Sequence, residues 1–264
     1  VKPDWEYKRL GIRLYRGDCL DVLPELRLDR IRTIVTDPPY GETNLAYDAE
    51  PAIEWCDLLH GWQGTLASFA SFKYALQLIP AMPLKFRYEM VWVKDKATRH
   101  LDANRRPLCN HELLLFFGAF RYRRTEFPRR YATTNLGRIT KSVSRIGDHY
   151  HSNFLRTAYT YTDMECPKSA FSCPHEYGNS YGRRRPGHHP SQKPTAICKW
   201  LALTFTPRNG TILDPFMGSG TTGLACLETG RKFIGVELDK RYFAASVARI
   251  EGWLTANKKK VASG

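Results

Sequence analysis

Thr211-Ile212-Leu213-Asp214-Pro215-Phe216-Met217-Gly218-Ser219-Gly220-Thr221-Thr222-Gly223 passes from an apolar run through spaced glycines into helix-forming residues. Gly218, Gly220 and Gly223 keep the G-x-G-x-x-G spacing of a strand–turn–helix unit. Glycines there let a ligand approach the backbone closely, and the helix that follows offers free N–H groups at its first turn. Glu237 stands 19 residues after Gly218, at the end of a second apolar run, where a carboxylate accepts bonds from ribose hydroxyls. The spacing alone leaves NAD and S-adenosylmethionine open. Pro215-Phe216 places a bulky ring better suited to an adenosine or a thioether than to a pyrophosphate, and no hydride-transfer constellation accompanies it. That favours S-adenosylmethionine.

Outward from this loop the chain alternates between the two periods. Strands are predicted at residues 12–15, 31–36, 66–70, 88–93, 112–117, 211–214 and 232–237, with helices at 20–26, 52–62, 73–79, 195–206, 220–228 and 240–254. The rhythm is that of a doubly wound α/β sheet. It breaks over residues 121–190, which are rich in Arg, Tyr, His, Ser, Thr, Gly and Pro without sustained periodicity. Residues 1–118 and 188–264 therefore read as one domain, interrupted by a loop-rich insertion at 119–187.

A second corner resembles a functional feature for a different reason. Asp37-Pro38-Pro39-Tyr40 follows the apolar run 31–36, and its two prolines hold the backbone extended while removing two N–H donors. The result is stiff and rich in acceptors: a carboxylate, an uncommitted carbonyl and a ring. It sits, like the glycine loop, at the C-terminal end of a predicted strand, the edge where open α/β sheets bind ligands.

The net charge of +14 is concentrated. Between Lys94 and Lys199 there are 20 Lys and Arg against 8 Asp and Glu, so +12 of it lies in this stretch. Such a block fits a polyanion, most simply nucleic acid. No apolar stretch reaches the roughly 18 residues of a membrane span. Seven cysteines without regular pairing fit a reducing, cytoplasmic setting. Cys166, Cys173 and His175 match no standard zinc spacing, so no metal is expected.

Held side by side, the two corners suit methylation of an exocyclic base amine. That nitrogen is a poor nucleophile because its lone pair is delocalised into the ring. With Asp37 and the Pro38 carbonyl accepting its N–H groups, it can pyramidalise, while Tyr40 stacks on the base and needs its ring more than its hydroxyl. The base must leave the duplex to be reached.

These residues are similar to the DNA methyltransferases that modify adenine N6 or cytosine N4. Asp37-Pro38-Pro39-Tyr40 resembles their catalytic motif and the stretch from Asp214 to Thr222 their cofactor motif. His189-Pro190-Ser191-Gln192-Lys193-Pro194, Gly17-Asp18-Cys19-Leu20 and His111-Glu112 resemble three further elements, and the order of motifs is that of the β-group. The resemblance implies a Rossmann-like sheet with circularly permuted motif order and a target-recognition insertion. It implies catalytic roles for Asp37, Pro38, Pro39 and Tyr40. S-adenosylmethionine would be held by Asp18, Cys19, Asp214, Phe216, Gly218, Ser219, Gly220, Thr221 and Glu237, with His189, Gln192 and Lys193 at its methionine end. It also implies double-stranded DNA as substrate, a homodimer, and either independent action or pairing with a separate restriction endonuclease. Asp37, where cytosine N4 enzymes more usually carry Ser, points to adenine. Arg121, Arg123, Arg124, Arg129 and Arg130, and the group Arg183, Arg184 and Arg185, are the candidate DNA contacts. Cytosine C5 chemistry is disfavoured because the chain has no Pro-Cys dipeptide. RNA adenine methylation, cytosine N4 methylation and a non-catalytic DNA-binding role remain as alternatives.

Overall fold

The computed structural model describes residues 1–43, 48, 50–98, 103–119, 122–123, 127–128, 164–165, 168–173, 192–258 and 261. Val1–Arg123 and Lys168–Gly264 form one compact unit, and Arg124–Pro167 another. In the smaller unit β7 (Phe127–Pro128) pairs antiparallel with β8 (Met164–Glu165).

The larger unit is built on a sheet ordered β1-β2-β11-β10-β3-β4-β6-β5-β9. Its strands are β1 (Trp5–Tyr7), β2 (Ile12–Arg16), β3 (Thr33–Thr36), β4 (Thr65–Ala70), β5 (Phe86–Thr98), β6 (Cys109–Gly118), β9 (Ala170–Ser172), β10 (Thr211–Asp214) and β11 (Lys232–Glu237). Strands β2, β11, β10, β3 and β4 run parallel, and β6 then pairs antiparallel with both β4 and β5. The parallel strands β3 and β4 are buried at every position, as a sheet covered on both faces requires.

Among its described residues the unit also holds α1 (Cys19–Val22), α2 (Phe72–Ala81), α3 (Thr195–Phe205), α4 (Thr221–Thr229) and α5 (Lys240–Ala256). On one side of the sheet Ile34, Leu66, Leu213, Ile234 and Val236 form a cluster with Val22, Trp55, Leu59 and Tyr74. Helix α3 packs through Trp200 and Phe205 on Phe116 of β6, with ring centroids 6.4 and 5.2 Å away. The end of α3 is tied to β3 by buried polar groups. Thr33 Oγ1 donates to Phe205 O at 3.1 Å, and Thr206 Oγ1 donates to Thr33 Oγ1 at 2.9 Å.

Chain direction explains the position of the site. From β10 the chain proceeds through α4 to β11 on one side, and from β3 it proceeds to β4 on the other. The crevice between two such diverging connections is where open α/β sheets take ligands. The glycine loop leaves β10 and the double-proline corner leaves β3, so the two motifs flank that crevice.

Three sequence expectations differ from the structure. Residues 52–62 hold a 3₁₀ helix at Glu54–Leu59 rather than an α-helix, and it buries Trp55, Cys56 and Leu59. The predicted helix at 20–26 splits into α1 and a 3₁₀ turn at Leu23–Glu25, where Pro24 enters. Ala170–Ser172, within the stretch read as insertion, pairs parallel with β5 and so belongs to the main sheet.

Candidate active site

A cleft of about 1030 Å³ opens along the C-terminal ends of β2, β11, β10 and β3. Asp37, Pro38, Pro39 and Tyr40 line one part of it, and Asp18, Cys19, Asp214, Phe216, Gly218, Ser219, Thr221, Glu237, Gln192 and Lys193 line the rest.

The corner is held by its surroundings. Pro39 O accepts from Ala52 N at 3.1 Å, and Asp48 Oδ1 accepts from the N–H groups of Tyr40 and Gly41 at 2.6 and 2.9 Å. The Tyr40 ring stacks on Tyr74 with centroids 5.1 Å apart. Tyr40 also donates its hydroxyl to Asp37 Oδ1 at 2.6 Å, so that group has work beyond the ring's. Lys193 Nζ lies 2.9 Å from the same oxygen. Asp37 Oδ2 and the Pro38 carbonyl take no hydrogen bond among the described residues. Burial pushes the Asp37 carboxyl above its usual range and Lys193 only partly offsets this. The site therefore has one engaged carboxylate oxygen, one open one, and an open carbonyl beside it.

Across the crevice, Glu237 accepts from Gly218 N at 2.9 Å on one oxygen and from Asp239 N at 2.8 Å on the other. A carboxylate has about four acceptor positions, so capacity for a diol remains. Asp18 caps α1 by accepting from Leu20 N at 2.9 Å. Burial pushes the adjacent Cys19 thiol up to about 12, leaving it neutral. Phe216 meets the edge of Trp55 at 5.8 Å. Asp214 accepts from Thr222 Oγ1 at 2.8 Å and from Phe216 N at 3.2 Å, and its burial pushes the carboxyl up to about 7. It braces the loop.

Two glycine positions are required by packing. Gly220 has φ 76°, and a Cβ there would lie 2.9 Å from Ser246 Cβ on α5. A side chain at Gly220 therefore strikes a helix, so the residue's freedom from a Cβ serves packing against α5. At Gly223 a Cβ would meet Phe233 of β11 at 2.9 Å. Arg249 of α5 secures the loop from outside the cleft, donating to Ser219 O at 2.6 Å, Ser219 Oγ at 2.8 Å and Thr221 Oγ1 at 3.2 Å. No sequence motif marks it.

Gln192 and Lys193 diverge. Ser219 Oγ lies 3.3 Å from Gln192 Oε1, placing that residue against the glycine loop. Lys193 reaches Asp37 of the double-proline corner. His189, Arg121, Arg124, Arg129, Arg130, Arg183, Arg184 and Arg185 lie outside the described residues, as do Cys166 and His175. Arg123 is exposed, and its backbone N–H donates to Thr204 O at 2.9 Å. Among the described residues no helix is long and apolar enough to cross a membrane.

Comparison with known proteins agrees with this geometry. The chain is 27% identical over 256 residues to the Type II methyltransferase M.HpaI of Haemophilus parainfluenzae, covering 90% of this chain and 74% of that one. It is 41% identical to the DNA adenine methyltransferase YhdJ of Escherichia coli K12 over 64 residues, 24% of this chain and 22% of that one. The fold matches the M1.HpyAVI–SAM complex at TM-score 0.56 and 22% identity, over 90% of this chain and 99% of that one. It also matches the cytosine-N4-specific PvuII DNA methyltransferase at TM-score 0.61 and 17% identity, over 96% and 93%. Residues 31–248, from the strand that carries the double-proline corner into the last helix, match the N6/N4 DNA methylase family. The chain belongs to that family, whose methyl donor is S-adenosylmethionine.

Proposed function

We propose that this DNA methylase modifies the N6 amine of an adenine extruded from duplex DNA. The observation that carries the reading is the pair of open acceptors, Asp37 Oδ2 and Pro38 O, at the switch point beside the glycine loop. The residues fit the donor: Glu237 retains acceptor capacity for a diol, Phe216 offers a ring, and about 1030 Å³ exceeds what one small ligand needs. When bound, S-adenosylmethionine supplies an electrophilic methyl group on a sulfonium.

The chain's own groups then act on the amine. Asp37 Oδ2 and Pro38 O accept its two N–H groups and draw its lone pair out of conjugation. Both acceptors are fixed before the reaction, so little reorganisation opposes the step. Once the N–C bond forms, the nitrogen carries a positive charge, and Asp37 takes the proton it must shed. Asp37 must therefore be ionised at the start.

An aspartate at the head of the corner favours adenine, and the segment matched to YhdJ, named a DNA adenine methyltransferase, supports the same choice. The likeness to a cytosine-N4-specific enzyme concerns the fold. Duplex DNA incubated with the protein and tritiated S-adenosylmethionine, then digested to nucleosides, tests the proposal. Label in N6-methyladenine is the expected result, and label in N4-methylcytosine refutes the base assignment. The arginine groups at 121–130 and 183–185 would grip the duplex, and a homodimer would supply a second chain to it.

A further inference from the structure

We infer that Glu112 and Lys94, acting through Lys193, position the catalytic carboxylate, closing one oxygen of Asp37 and leaving the other open to the amine. This rests on the proposed role of Asp37. Lys193 Nζ stands 2.9 Å from Asp37 Oδ1 and 2.9 Å from Glu112 Oε2, and Lys94 Nζ is paired with Glu112 Oε1. The four side chains alternate in sign from cleft to sheet.

Their placement follows from the antiparallel strands. Because β6 runs opposite to β4, its N-terminal part lies at the sheet's ligand edge, and Leu113 pairs with Ala70, the last residue of β4. Glu112 sits one residue before it. On the far side β5 is in register with β6 at Trp92 and Val93 and then shifts before Thr98, and Lys94 stands at the start of that irregular stretch. Lys193 arrives from the segment preceding α3 and is enclosed by two rings, Phe69 at 5.2 Å and Tyr40 at 5.5 Å from its Nζ.

Without Glu112, an ammonium with three donors beside a half-buried carboxylate would close on both oxygens. Glu112, with its Oε2 2.9 Å from Lys193 Nζ, holds the ammonium by its charge to the Oδ1 side. Lys94 in turn keeps Glu112 ionised and fixed: burial pushes the Glu112 carboxyl up, but the two ammonium groups outweigh it and hold it below its usual range. The other groups bearing on Asp37 are the Tyr40 hydroxyl, Asp214 from β10 and the Tyr74 phenol from α2.

The signs are testable. Activity rises with pH as Asp37 ionises, so its pKa sets the acid limb of the single-turnover rate. Glu112 raises that pKa and Lys193 lowers it. Glu112→Gln should move the limb to lower pH by about one unit, and Lys193→Met should move it to higher pH by a similar amount. The Glu112→Gln plateau should fall roughly 10- to 100-fold through misplacement of Asp37. Lys94→Met should lower the plateau by less than Glu112→Gln does, through a less firmly held Glu112, and this loss serves if Lys193→Met does not fold. The double variant Lys193→Met/Glu112→Gln should return the limb toward wild type.

S-adenosylmethionine affinity, measured by calorimetry, should change little in all four variants. Limbs that stay in place, or that move in one direction for both charges, overturn the inference. So does loss of cofactor affinity at Lys193→Met with the limb unmoved, which would return Lys193 to the cofactor. Asp37→Asn separates the levels: an active variant sinks the parent reading, whereas an inactive one with unmoved limbs elsewhere sinks only the positioning role.

Discussion

Tyr40 bears on Asp37 through its hydroxyl as well as through its ring. Stacking asks nothing of that hydroxyl, so a reading from residue types alone expects Tyr40→Phe to retain most activity. With the O–H donating to Asp37 Oδ1 at 2.6 Å, the variant loses a bond that lowers the carboxyl's pKa. The expected outcome is a single-turnover rate at neutral pH reduced roughly 5- to 10-fold, with the acid limb moved to higher pH. A wild-type limb would show that the hydroxyl is idle. The corner itself was legible because two prolines after an apolar run restrict the backbone so strongly. Lys94, Glu112 and Lys193 were not legible as a group. They lie on three segments, and only the pairing of β5 with β6 brings the first two together.

Elements were legible where one chemical signal dominated. Strands β10 and β11 fall where expected, because each is an apolar run ended by an acid and a turn. Strand β1 has three residues and is partnered by β2 at the sheet's edge, and β9 is Ala-Phe-Ser in a polar stretch. Neither carries enough periodicity to register. The G-x-G-x-x-G loop was legible as a unit but not in its division of labour, since Gly220 and Gly223 pack against α5 and β11. Arg249 supplies the complement by fastening Ser219 and Thr221. Arg249→Met should weaken S-adenosylmethionine binding about tenfold by loosening that loop, while the rate at saturating cofactor stays near wild type. Calorimetry and single-turnover kinetics check the two halves, and unchanged affinity would make Arg249 a packing residue.

At the scale of the molecule, a permuted chain brings the first and last parts of the sequence to one crevice. Residues 12–40 supply β2, β3 and the double-proline corner, while residues 192–256 supply the loop, its acid and their bracing helices. The charge between Lys94 and Lys199 is the part of the chain proposed to meet the phosphates of a polyanion. Replacing Arg183, Arg184 and Arg185 together by alanine should flatten the dependence of log K on log salt by nearly one unit for each phosphate no longer neutralised. A wild-type slope would remove them from the DNA interface. In the proposed reaction Asp37 acts on the amine and not on the methyl donor. The decisive measurement is methyl transfer to DNA by Asp37→Asn alongside calorimetry of its S-adenosylmethionine binding. Binding near wild type with transfer reduced by about 100-fold or more is the expected result, and transfer near the wild-type rate would contradict it.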